Sequence, residues 1–162
     1  MLKVIQGMSD RFMSSELDAL DKLIIKTLQS NARTPFSKIA KEAGVSEATV
    51  FLRVKGLQQS GVIKSFRAIV DPQKVGKNLS AFILVKADPK KYTEVANLIR
   101  DLPEVTEAFD VTGPYYLICR VDVPGKEALS EVIDKMGRVE GVLSTETAIV
   151  LKEIKENVGL SV

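Results

Sequence analysis

The stretch that decides the fold is Asn31–Val62, NARTPFSKIAKEAGVSEATVFLRVKGLQQSGV. Thr34 reads as an N-cap with Pro35 at the first helical position, where a missing N–H costs nothing. Phe36, Ile39, Ala40 and Ala43 then form one apolar stripe at helical spacing. Gly44 ends this helix by supplying a left-handed conformation that other residues resist. After Val45 alone, Ser46 caps a further helix with Val50, Val54 and Leu57 on its apolar face and Gly61 as its stop. Two short helices joined by a tight glycine turn make a helix-turn-helix unit, which sets its second helix in a DNA major groove.

Upstream, Leu17, Leu20, Ile24 and Leu28 repeat at helical spacing, and Ser15 with Asp18 resembles a capping box, so a first helix is expected over about residues 16–30. Residues 1–14 show no sustained period and read as a leader with no assigned function. Downstream, VIKSFRAIV (62–70) alternates as a strand does, and DPQKVGKN (71–78) carries linker punctuation.

The second half has its own pattern. Strand-like Ala81–Ala87, a helix through Tyr92, Val95, Ala96 and Ile99, and strands over Val105–Val111 and Tyr115–Val123 come first. A helix through Leu129, Val132, Ile133 and Met136 and a strand over Val142–Leu151 follow. That order, βαββαβ, is a ferredoxin-like antiparallel sheet with both helices on one face. The fold class is therefore α+β, divided into a leader (1–14), a helix-turn-helix domain (15–70), a linker (71–79), a second domain (80–155) and a tail (156–162). In the central strands Ala81, Ile83, Val85, Leu117, Cys119 and Val121 are set toward the helices, which sends Phe82, Leu84, Tyr116 and Ile118 to the open face. An apolar face of that kind marks an association surface, and the expected partner is a second copy stacked sheet to sheet.

Charge divides with the domains. Residues 1–70 hold 11 Lys+Arg against 6 Asp+Glu, and residues 71–162 hold 12 against 15. The positive field thus lies where the helix pair lies. The longest apolar run is far short of the ~18 residues a membrane span requires, and the N-terminus lacks a secretory apolar region, so a cytoplasmic protein with no membrane partner is expected. The single cysteine, Cys119, permits neither an intramolecular disulfide nor a cysteine metal cage and reads as a core thiol.

Catalysis lacks parts. The chain contains no histidine, the usual general base and a common metal ligand, and neither common glycine-rich phosphate cradle occurs. Neither a catalytic residue, a metal nor a cofactor is expected. Helix 46–60, by contrast, suits DNA. Opposite Val50 it presents Ala48, Leu52, Lys55 and Gln59, flanked by Thr49 and Phe51. Apolar groups near its start suit thymine methyls, and Thr49, Lys55 and Gln59 suit base edges or phosphates. Glu47 lies beside them in the first turn. Arg53 borders the buried stripe, so its stem should pack and its guanidinium reach a phosphate. Ser46 begins a helix N-terminus that also favours phosphate. Arg33, Lys38, Lys41, Lys64 and Arg67 frame the helix as further phosphate contacts.

With these residues assembled, the sequence resembles the Lrp/AsnC family of bacterial and archaeal transcription regulators, the feast/famine regulatory proteins. The resemblance runs over roughly Leu17 to Lys155. It is carried by LDALDKLIIKTLQSNAR, KIAKEAGVSEATVFLRVKGLQQSGVI, VDPQKVG, VTGPYYLICRV and GVLSTETAIVLKEIK, specific as a set and weak one by one. It implies a winged helix-turn-helix DNA reader, with residues 62–70 as the wing, joined to a regulatory domain, dimers that pair through their sheets and assemble into tetramers or octamers, and a small effector, commonly an amino acid. By position, the resemblance places the effector site at Thr112, Gly113, Pro114, Tyr115 and Tyr116 in a loop, with Thr145 and Thr147 on the last strand. The family's loop reads Thr-Gly-acidic-Tyr-Asp; here Pro114 and Tyr116 replace both acids, which changes the partner offered to an effector's ammonium. Two further readings stand beside the site-specific regulator: an architectural protein that coats DNA with little sequence preference, and an enzyme similar to the sirohaem decarboxylases, which share the two-domain layout.

Overall fold

Three helices come first in the computed structural model, which describes residues 17–155 and 159–162: α1 (Ala19–Ser30), α2 (Phe36–Ala43) and α3 (Glu47–Gln59). The capping box of α1 is built one turn later than the sequence suggested. Asp18 is the N-cap and its carboxylate accepts from the Asp21 N–H at 2.9 Å, while the Asp21 carboxylate accepts from the Asp18 N–H at 3.3 Å. Ser15 and the leader lie outside the described residues. At α2 the expected cap is displaced by one residue: Pro35 occupies the N-cap position, and the Thr34 hydroxyl instead donates to the Asn31 carbonyl at 2.8 Å. A helix whose first N–H is already lost to proline has less need of a side-chain cap. Gly44 takes the left-handed conformation (φ 67°), and the Ser46 hydroxyl accepts from the Thr49 N–H at 3.1 Å, as expected.

The three helices enclose one core. Ile24, Ile25 and Leu28 from α1 meet Ile39 and Ala40 from α2 and Val50, Val54 and Leu57 from α3. Each fully buried aliphatic side chain here contributes about 1.5–3 kcal/mol relative to exposure, so the side of α3 that faces inward is fixed. The wing is absent: residues 64–70 form no strand and have no ladder partner among the described residues. Alternation supplies a strand's pattern, but its backbone groups need a neighbour, and this segment has none among the described residues.

The second unit runs from Ile69 to Ile154, while Lys155 and residues 159–162 group with the first. There the Gln29 side-chain amide donates to the Leu160 carbonyl at 3.0 Å and accepts from the Leu160 N–H. In the second unit a 3-10 turn, Gln73–Val75, leads to β1 (Leu79–Ala87), α4 (Tyr92–Arg100), β2 (Val105–Asp110), β3 (Leu117–Val123), α5 (Lys126–Gly137) and β4 (Val142–Ile149). The sheet is antiparallel in the order β2-β3-β1-β4, the ferredoxin-like arrangement. Ala81, Ile83, Val85 and Ala87 with Leu117, Cys119, Val121 and Val123 are buried against Val95 and Ile99 of α4 and Leu129, Val132 and Met136 of α5. Cys119 is on this inner face, where burial pushes its thiol pKa up to about 11, the condition of an inert core thiol.

Gly141 closes the turn from α5 into β4 at φ 99°, and a Cβ there would stand 2.7 Å from Cβ of Lys91. Its carbonyl accepts from the Asp88 N–H at 2.7 Å. Replacing Gly141 by alanine combines an unfavourable φ with a clash, so we expect Gly141→Ala to lower unfolding stability by on the order of 2 kcal/mol. A urea titration of the full chain measures this; an unchanged midpoint would contradict the close approach.

Candidate nucleic-acid interface and effector surface

Helix α3 is held on one side and open on the other. Val50, Val54 and Leu57 are buried, whereas Glu47, Ala48, Phe51, Leu52, Lys55 and Gln59 are exposed, Phe51 at 54% and Leu52 at 45%. Thr49 is half-buried; its hydroxyl shares a 2.8 Å hydrogen bond with that of Ser46. The Phe51 ring leans on Phe36 of α2, centroids 6.5 Å apart at 55°, which restricts its rotamers without burying it. Arg33, Lys38, Lys41, Lys64 and Arg67 are all exposed. The outward side of α3 therefore combines a small and apolar start with a cation and an amide further along.

Arg53 departs from the expected role. Its Nη1 lies 2.8 Å from Oδ2 of Asp18 and donates to both carboxylate oxygens of Asp21 at 3.1 Å. Asp21 shares a face with Ile24, Ile25 and Leu28 and its side chain is 6% exposed. A carboxylate in that position requires a partner, and Arg53 supplies it. The guanidinium thus ties α3 to α1 rather than reaching outward. Burial works against ionisation of Asp18, but the Asp21 backbone N–H and Arg53 outweigh it and hold that carboxyl below its ordinary pKa. Sequence reasoning overlooked both acids as site residues. The available signal was an aspartate at position 21 on the i, i+3, i+4, i+7 stripe of an apolar helix face.

In the second unit, the proposed effector residues separate into groups. Thr112, Gly113 and Pro114 are exposed in the loop between β2 and β3, with Gly113 at φ 118°. Thr145 and Thr147 are register partners of Val85 and Ile83 on β4, an edge strand, and so share the inner face. Tyr115 meets residues of the opposite face: its hydroxyl donates to Glu146 at 2.7 Å and the Lys86 ammonium stands 5.1 Å from its ring centroid. The hydrogen bond to Glu146 raises the Tyr115 pKa.

Tyr116 is a correction to the open-face assignment. Its ring lies 5.6 Å from that of Tyr92 and packs against the inner core, because β3 begins only at Leu117 and the preceding residue is not bound to strand alternation. Tyr92 in turn has its pKa raised by a hydrogen bond to Asp110. Asp110 and Glu146 were not anticipated, yet each is the acid that engages a tyrosine at this loop.

The rest of the open face is as expected. Phe109, Ile118, Leu84 and Glu146 form one row across the four strands, and Glu107, Arg120, Phe82 and Ala148 form the next. Beyond them Asp122 is buried, accepting from Ser80 Oγ and, at 2.9 Å, from Thr106 Oγ1. The register slip at Thr106 between Val105 and Glu107 is what lets β2 offer that hydroxyl.

Comparison with known proteins matches both units. The AsnC-type helix-turn-helix domain matches residues 17–58 and the Lrp/AsnC ligand binding domain matches residues 80–160. The chain belongs to the Lrp/AsnC family. The HTH-type transcriptional regulator FL11 of Pyrococcus furiosus is 41% identical over 150 residues, spanning 93% of this chain and 99% of that protein. The solved structure of E. coli AsnC is 35% identical with a TM-score of 0.82, covering 87% of this chain and 96% of its own. A transcriptional regulator of Neisseria meningitidis, solved as an L-Met complex, is 30% identical with a TM-score of 0.83 over 90% of this chain and 96% of its own. The chain is accordingly a helix-turn-helix transcription regulator of the Lrp/AsnC type. Among the described residues no helix is long and apolar enough to cross a membrane.

The Asp18–Arg53–Asp21 cluster separates the side of α3 that holds the fold together from the side that stays exposed. Arg53→Ala leaves two carboxylates unpaired, one of them buried, and should cost on the order of 3 kcal/mol. Lys55→Ala, at an exposed position, should change stability by less than about 0.5 kcal/mol. Thermal and urea unfolding of the two variants test the contrast, and equal losses would refute the assignment of Arg53 to the interior.

Proposed function

We propose that this Lrp/AsnC regulator binds a specific operator as a dimer and that a small metabolite at the second unit adjusts its assembly. The observation that carries the proposal is the outward side of α3. Ala48, Phe51, Leu52, Lys55 and Gln59 stand clear of the core, with exposed cations around them on neighbouring segments. In this reading Lys55, Arg33, Lys38, Lys41, Lys64 and Arg67 engage phosphates and set register, while Glu47, Ala48, Thr49, Phe51, Leu52 and Gln59 meet base edges. Ser46, at the N-terminus of α3, favours a phosphate.

A single helix-turn-helix unit makes too small an interface for a firm complex, and two copies spaced by about one helical turn, ~34–36 Å, engage two half-sites. The uncovered sheet face supports the pairing: Phe82 and Phe109 remain exposed there beside Leu84 and Ile118. A second sheet laid on this face buries those rings, and higher multiples of the dimer follow the family's habit. Segment 64–70, with Phe66, Ile69 and Val70 exposed and no ladder partner among the described residues, would also gain one from a second copy.

The effector is placed at the β2–β3 loop. The Neisseria relative was solved with L-Met, which supports an amino acid or related metabolite as the chemical class. Here Pro114 and Tyr116 stand where the family usually has acids, so the compound held at this loop differs from an ordinary amino acid in how its ammonium is met. Tyr115 and Tyr116 offer ring and hydroxyl contacts in exchange.

Two outcomes test the proposal. Lys55→Ala should weaken binding to specific and random duplexes alike and reduce the salt slope, log K against log [salt], by about one, whereas the wild-type chain should prefer its site over random duplex by ~10³-fold or more. Binding of every duplex equally would favour a coating role instead. For the dimer, Phe109→Asp should shift the chain to monomer in sedimentation velocity; an unchanged sedimentation coefficient would show that this face is not the interface.

A further inference from the structure

The outward side of α3 also limits which bases it can distinguish. Bidentate reading of guanine relies above all on an arginine, whose fork matches O6 and N7. The only arginine on α3 is Arg53, and its guanidinium is engaged by Asp18 and Asp21. The N-terminal turns of a recognition helix meet the groove floor. In α3 those turns present Ala48, Phe51 and Leu52 beside the acidic Glu47, which has no acceptor-reading donor to offer guanine, and the Thr49 hydroxyl there is already paired with that of Ser46. Lys55 and Gln59 come one and two turns later.

Phe51 and Leu52 are exposed, whereas the other large apolar residues on the helices of this unit are buried or half-buried. Phe51 is additionally held in place by Phe36. An apolar group fixed at the groove floor has one favourable counterpart among base edges, the thymine 5-methyl. We propose that α3 discriminates bases chiefly by thymine methyl contact through Phe51 and Leu52, and that it carries no guanine-reading fork because Arg53 is committed to the Asp18 and Asp21 carboxylates. This rests on the reading of the chain as a site-specific DNA binder and names the chemistry of that specificity.

The test uses the full-length protein and the duplex recovered most often from a pool of random sequence. That duplex is remade with deoxyuridine for thymidine, which removes only the methyl, and separately with 7-deazaguanine, which removes only the N7 acceptor. Each uracil at a contacted position should weaken binding about fourfold, the effect of one buried methyl group, and 7-deazaguanine should leave affinity unchanged. Leu52→Ala should bind the thymine and uracil duplexes equally at the position it contacts. Leu52 has no ring partner, so this variant avoids the packing that Phe51→Ala would disturb. Equal binding of thymine and uracil duplexes by the wild-type chain overturns the proposal, as does a loss of affinity with 7-deazaguanine. If the pool yields no enriched duplex at all, the site-specific reading fails and this proposal fails with it. An enriched duplex that is indifferent to uracil refutes the methyl contact alone.

Discussion

The rigid seating of α3 on its own domain is the constraint from which the candidate DNA surface follows. Val50, Val54 and Leu57 are buried with Ile24, Leu28 and Ile39, and the Arg53 guanidinium closes the edge of that contact on Asp18 and Asp21. Apolar burial supplies most of the stabilisation, since it scales with area and requires no geometry. The ion pair contributes direction: a planar fork between two carboxylates admits few rotations of α3 about its axis. With that rotation fixed, the residues between the buried ones have no choice but to project outward, and a side chain only 100° around the helix from Val50, Phe51, becomes surface.

The second unit expresses the same logic in a sheet. One face is closed by α4 and α5, with Ile83, Val85, Cys119 and Val121 beneath them. The opposite face cannot be closed by the elements that this chain places there, because both crossover helices of a βαββαβ unit fall on one side. Aromatic and aliphatic side chains on that open face are then left uncovered by α4 and α5, and this is the surface on which the proposed pairing rests. Asp122 sits among them without penalty, since Ser80 and Thr106 donate to it and Arg120 lies nearby. The family relationship and the physics agree on a two-part molecule: a helix-turn-helix unit whose surface is dictated by what it buries, and a sheet with one face closed by helices and one open.

Much of this was readable before any coordinates. The Gly44 turn, the Ser46 cap, the buried stripe Val50, Val54 and Leu57, and the βαββαβ order all arise from local rules. Glycine at positive φ, hydroxyls at N-termini and side-chain periodicity each involve residues within a few positions of one another. The candidate DNA face was legible for the same reason, being the complement of the buried stripe. What misled was anything set by a distant partner. Residues 62–70 alternate like a strand, yet whether a strand forms depends on a neighbour that sequence pattern does not reveal. Tyr116 has the parity of the open face, but the strand starts one residue later and its ring finds Tyr92.

Sequence alone determined the helix-turn-helix, the α+β class and the split into a basic and an acidic half, because composition and periodicity are properties of the chain itself. Tertiary structure decided which charges remain available. Arg53 and Lys55 are two residues apart and equally cationic, but Arg53 packs where two aspartates of α1 converge and Lys55 does not. The difference is one of distance across the fold, 32 residues away along the chain for the Asp21 contact. Local pattern cannot encode that distance; only the packing of α3 on α1 creates it.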